Sequence, residues 1–143
     1  MARRAPLFLV LGLLAAASGA SSDPAPAEPV WQVSASGLAI AELAAGEGAP
    51  ARAGQTVEVH YVGVAWSTRK QFDASWDRND TFSFRLGGGQ VIKGWDEGVA
   101  GMKIGGRRRL VIPPAKGYGK QGAGGVIGPN ETLVFVVDLL GLS

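Results

Sequence analysis

Cysteine is absent from the 143-residue chain, and histidine occurs once, as His60. The first absence removes disulfides, thiolate nucleophiles, cysteine-bound metals and cysteine-linked lipid anchors. The second removes a histidine-rich zinc site and any Ser–His–Asp arrangement. His60 sits beside Tyr61 in a strand-like run and reads as a surface strand residue. An excess of one charge is also missing. Two of the fourteen basic residues are Arg3 and Arg4; without them, twelve basic and twelve acidic residues cancel. No nucleic-acid partner is expected, because backbone binding needs a basic surplus. Arg107-Arg108-Arg109 is the one basic cluster, and alternation along a strand sends its side chains to opposite faces. Gly87-Gly88-Gly89 has neither the Gly-Lys-Ser/Thr of a phosphate loop nor the spaced glycines of a dinucleotide fold. Asp96 and Glu97 diverge by about 100 degrees on a helix, so they read as solvated charges rather than an acid–base pair. No metal and no cofactor is expected.

What the chain does contain begins with a secretory pattern. Arg3 and Arg4 precede an apolar run, Leu7–Ala17, that is short for a bilayer span. Small residues at Ser18-Gly19-Ala20 place cleavage after Ala20. Residues 1–20 are therefore read as a signal peptide, with no membrane anchor after its removal; an uncleaved anchor is the alternative. Residues 21–36 are rich in Pro and Ala and read as a flexible linker. Residues 37–143 form one domain, long enough to bury a core unaided. Export to a periplasm or to the exterior is expected, with an endoplasmic reticulum lumen second. No long helical arm precedes the domain, so a monomer is expected.

Within the domain, Leu38–Glu42 fits a first strand. Thr56–Ala65 alternates, with Val57, Val59 and Tyr61 on one face and Glu58 and His60 on the other. Gln71–Ser75 and Thr81–Leu86 read as short strands around a polar loop, Trp76–Asp80. Arg107–Ile112 is a strand stopped by Pro113-Pro114. Thr132–Leu140 is apolar on both faces, which marks a central strand. Val91, Trp95, Val99 and Met102 recur at near-helical spacing and predict a short helix. Gly94 and Gly98 interrupt it, each costing about 1 kcal/mol relative to Ala, so something must approach its backbone closely. The class is α+β: five or six antiparallel strands with the helix packed across one face.

Tyr61, Phe72, Phe82, Val91, Ile92, Trp95, Tyr118, Ile127 and Phe135 come from separate segments around that helix. Apolar surface with a few polar handles is the usual pattern of a ligand pocket. The handles are the hydroxyls of Tyr61 and Tyr118, the carboxylate of Asp73 and the guanidinium of Arg78.

Six blocks, in order, resemble the FKBP-type peptidyl-prolyl cis/trans isomerases. They are Val59-His60-Tyr61-Val62-Gly63, Phe72-Asp73-Ala74-Ser75, Phe82–Gly87, Val91–Val99, Ile112-Pro113-Pro114 with Tyr118-Gly119, and Thr132–Phe135. The resemblance implies a half-barrel of five or six antiparallel strands wrapped around one short helix. It implies a proline pocket with Trp95 as floor and Tyr61, Phe82, Val91, Ile92, Ile127 and Phe135 as walls. The Ile92 N–H and the Tyr118 hydroxyl would hold peptide carbonyls. Asp73 would be a buried carboxylate near the twisting amide, held by Tyr61 and Arg78, with Phe72 beside it. Proline-containing polypeptides would be the clients, and macrolides such as rapamycin would be ligands of the same pocket. A non-catalytic proline-peptide module or holdase on the same fold is the alternative. Gly88-Gly89-Gln90 departs from the pattern and predicts a mobile loop at the pocket edge; Ala123–Val126 and Gly128 depart in the long loop before the last strand.

Overall fold

A computed structural model describes residues 30–143. The stretch read as a signal peptide, 1–20, and residues 21–29 of the expected linker lie outside the described residues. The strands are β1 (Trp31–Val33), β2 (Ala39–Ala44), β3 (Thr56–Ala65), β4 (Gln71–Ala74), β5 (Phe82–Arg85), β6 (Arg107–Ile112) and β7 (Leu133–Leu142). Among the described residues one α-helix, α1 (Lys93–Gly98), lies between β5 and β6. All strand pairings are antiparallel, in the order β1-β2-β6-β7-β3-β4, with β5 beside β3. The sheet is open, and it has seven strands rather than five or six. The additional strand is β1, in the stretch read as linker. Its three residues are exposed and pair only with Ala39–Ala41, so it extends the sheet without adding to the core.

Burial follows the sequence pattern. Val57, Val59 and Tyr61 of β3 are buried while Glu58 is exposed. In β7, between β6 and β3, Leu133–Val137 are buried without alternation, as befits a strand covered on both faces. On the inner face, Trp95, Val99 and Met102 pack with Leu110, Ile112, Phe135 and Val137. A smaller cluster, including Val62, Val64, Val134 and Val136, occupies the other face.

Helix α1 is shorter than the apolar spacing over 91–102 suggests. Ile92 is extended (φ −60°, ψ 152°) and caps its start, so Val91 and Ile92 belong to a wall rather than a helical turn. Gly94 and Gly98 are required by contact with β6. A Cβ on Gly94 would lie 2.6 Å from Ile112 Cγ2, and one on Gly98 would lie 2.8 Å from a Leu110 methyl. The helix backbone therefore rests directly on the sheet. Arg108 Nη1 donates to the carbonyls of Gly98 (2.8 Å) and Ala100 (2.7 Å), satisfying groups a helix leaves open at its C-terminus. The arginine run does not form one patch. Arg107 pairs with Asp138 and Arg108 with Glu42, while burial pushes the Arg109 guanidinium below its usual pKa.

Candidate functional site: an aromatic cavity over the helix

Strand β3 has two neighbours on one edge. Its Thr56–Val59 half pairs with β5, and Val62–Val64 pairs with β4. Between them, His60 and Tyr61 have no strand partner on that edge. Ser75, fully buried where β4 turns into a 3-10 turn (Ser75–Arg78), closes the gap with its side chain. Ser75 Oγ accepts the Tyr61 N–H (2.7 Å), approaches the Tyr61 carbonyl (3.3 Å) and meets His60 Nδ1 (2.7 Å). His60 is thus not a bare surface residue: its ring stacks on Trp76 at 3.9 Å between centroids.

The same turn returns Arg78 towards β3. Tyr61 Oη donates to Asp73 Oδ2 (2.5 Å), Arg78 Nη1 donates to Asp73 Oδ1 (2.6 Å), and Arg78 Nη2 donates to Tyr61 Oη (3.0 Å). Burial and the bond to Asp73 push the Tyr61 phenol up to about 12. The bond to Asp73 raises Arg78 further above its already high pKa. Both residues therefore keep their protons at neutral pH and act as donors to a carboxylate.

These residues border a cavity of about 280 Å³ lined by Tyr61, Phe72, Asp73, Phe82, Gln90, Val91, Ile92, Trp95, Tyr118 and Phe135. Trp95 is its buried centre. Tyr61 and Phe135 meet the Trp95 ring edge-on at 4.9 and 5.2 Å, with Phe82 at 6.0 Å. Interlocked aromatics of this kind hold a rigid apolar surface. At the rim, the Ile92 N–H has no hydrogen-bond partner among the described residues. Tyr118 is exposed, and partial burial together with the Asp73 charge raises its phenol pKa. The site thus offers apolar walls, two donors at its mouth and one carboxylate to one side. Among the described residues no acid or histidine cluster could hold a metal.

Nine of the eleven site residues read from the sequence line this cavity; Ile127 and Arg78 do not. Ile127 is buried in the core beneath the long loop, where its N–H and C=O both bond Ala123. Arg78 acts from outside through Asp73 and Tyr61. Asp73 is not a buried carboxylate: 39 % of its side chain is exposed, because the cavity wall opens to solvent there. Gln90 lines the cavity without having been read as a site residue, since nothing in a glycine-rich loop marks which way it folds.

A family model for the FKBP-type peptidyl-prolyl cis-trans isomerase matches residues 47–140. An FK506-binding protein of Streptomyces anulatus is 61 % identical over 104 residues, covering 72 % of this chain and 84 % of the relative. An FK506-binding protein of Neisseria meningitidis serogroup B is 53 % identical over 104 residues, covering 73 % and 94 %. Among solved structures, AtFKBP13 superposes with a TM-score of 0.73 at 40 % identity, covering 80 % of this chain and 99 % of that one. FkpA from Escherichia coli superposes with a TM-score of 0.74 at 39 % identity, covering 94 % and 59 %.

Proposed function

The chain belongs to the FKBP-type peptidyl-prolyl cis-trans isomerases, and from that premise we propose that it isomerises Xaa–Pro bonds in exported polypeptides, as a monomer, in the cavity over Trp95. The observation that carries this reading is the cavity itself. Its aromatic walls offer the apolar surface a proline ring would pack on, and the Ile92 N–H and the Tyr118 hydroxyl at its mouth could hold carbonyls.

Rotation about a peptide bond is opposed by resonance, with a barrier of about 18–20 kcal/mol. At Xaa–Pro both isomers are populated, and their exchange takes tens to hundreds of seconds uncatalysed. The twisted amide is less dipolar than the planar one, so an apolar cavity disfavours the planar form more. The Ile92 N–H and the Tyr118 hydroxyl hold carbonyls on either side while the bond turns. Asp73, oriented by Tyr61 and Arg78, faces the rotating amide. No proton moves and no covalent bond is made. Macrolides such as rapamycin occupy the same cavity in this reading.

Export rests on the signal pattern at 1–20, so N-terminal sequencing of the protein from a secreting host should begin at Ser21. Function is tested by proline-limited refolding of a client. The intact protein should accelerate the slow phase, with rapamycin suppressing the effect. Suppressed aggregation without faster refolding would instead identify a holdase.

A further inference from the structure

Asp96 and Glu97 are adjacent on α1, and each ties a different loop to the cavity floor. The Asp96 carboxylate accepts the N–H of Gly87 through Oδ1 (2.8 Å) and of Gly89 through Oδ2 (3.1 Å). Glu97 Oε2 accepts Lys116 Nζ (2.6 Å) in the 3-10 turn that leads to Tyr118. The two contacts are unequal. The Glu97–Lys116 pair is largely at the surface, where such pairs contribute little. Asp96 uses both carboxylate oxygens on two backbone donors of one short segment, whereas Glu97 makes a single contact with a flexible side chain.

The segment it fixes is otherwise permissive. Gly87 (φ 77°) and Gly89 (φ 73°) adopt left-handed conformations, and a run of three glycines has a large conformational entropy to lose. This segment leads directly into Gln90, Val91 and Ile92, which form one cavity wall and include its free N–H. Gln90 completes the tie by accepting the Arg85 N–H (2.9 Å).

We propose that Asp96 is a positioning residue that clamps the Gly87–Gly89 turn and thereby sets the Gln90–Ile92 wall for the proline peptide. This rests on the cavity being the proline site. The clamp acts on binding, because it orders a wall before the peptide arrives.

The test uses the full chain, with Asp96→Ala and Glu97→Ala compared with the parent. Backbone amide exchange is read at Gly87 and Gly89, and KM and kcat are read on an Xaa–Pro peptide. For Asp96→Ala, exchange should quicken about tenfold or more at both glycines. KM should rise about three- to tenfold with kcat within about twofold. For Glu97→Ala, both readouts should stay within about twofold of the parent. Unchanged exchange at Gly87 and Gly89 would overturn the clamp; faster exchange with unchanged KM would overturn its role in the wall. If Asp96→Ala loses protection across β3 and β7, Asp96→Asn replaces it, keeping one acceptor oxygen. One glycine amide should then be released and KM should still rise; unchanged KM overturns the proposal. A parent without turnover would contradict the reading of the cavity, while the exchange data would still report on the clamp.

Discussion

Tyr61 donates its hydroxyl to Asp73 at 2.5 Å, across the gap that β3 leaves between its two edge partners. Arg78 completes the triangle by donating to both. This arrangement holds a carboxylate against the cavity without burying it. Replacing Asp73 with Val should lower kcat/KM about tenfold or more by removing the charge beside the rotating amide. The Asp73–Arg78 pair is well exposed, so the loss in stability should stay near or below about 1 kcal/mol. Paired measurements of turnover and denaturant midpoint check this; unchanged turnover removes Asp73 from the mechanism.

The Tyr61 phenol, pushed up to about 12 from 10.0, links stability to alkaline pH. The folded state holds this proton more tightly than the unfolded state. Its contribution is therefore fully present below pH 10 and is lost as pH rises through the folded value. The loss should be on the order of 2–3 kcal/mol between these limits. Tyr61→Phe should flatten that part of the stability profile. In Asp73→Val, tyrosinate absorbance should appear at lower pH for both Tyr61 and Tyr118, since Asp73 raises both.

Gly94→Ala and Gly98→Ala should each destabilise the fold by about 1–3 kcal/mol, because overpacking against Ile112 and Leu110 outweighs the gain in helix propensity. Gly128→Ala is the control. An added Cβ there meets nothing within 4 Å, and its stability should stay within about 0.5 kcal/mol of the parent. Chemical denaturation reads all three.

Ser75→Ala should cost about 1–3 kcal/mol, since it leaves the buried Tyr61 N–H without its acceptor. It should also reduce kcat/KM, as Tyr61 loses the tether that aims its hydroxyl at Asp73. A stability loss with full activity would make Ser75 a structural residue only.

The central strands and the cavity were legible because periodicity and aromatic content carry them. Alternation in β3 located Tyr61, unbroken apolarity located β7, and two glycines amid an apolar helical pattern announced the close contact with β6. Other features depend on where loops fold. Ile127 has the composition of a wall residue, but its backbone pairing with Ala123 turns it into the core. Gln90 enters the cavity because neighbouring backbone is tied to Asp96. Glu97 is the surface charge its helical position suggests, whereas the partners of Asp96 are backbone amides of another segment, which the sequence does not mark. Nothing in the glycine run marks the Asp96 carboxylate that accepts two of its amides, because that carboxylate lies seven to nine residues along the chain. Ser75 gave no signal beyond a small polar residue at a strand end, yet it substitutes for a missing strand partner.

The most direct measurement is the cis-to-trans exchange rate of an Xaa–Pro peptide with the intact protein at micromolar concentration. The account predicts exchange well above the buffer rate, abolished by saturating rapamycin and reduced about tenfold or more by Asp73→Val. A rate equal to buffer, from protein that is folded by amide exchange, would contradict it.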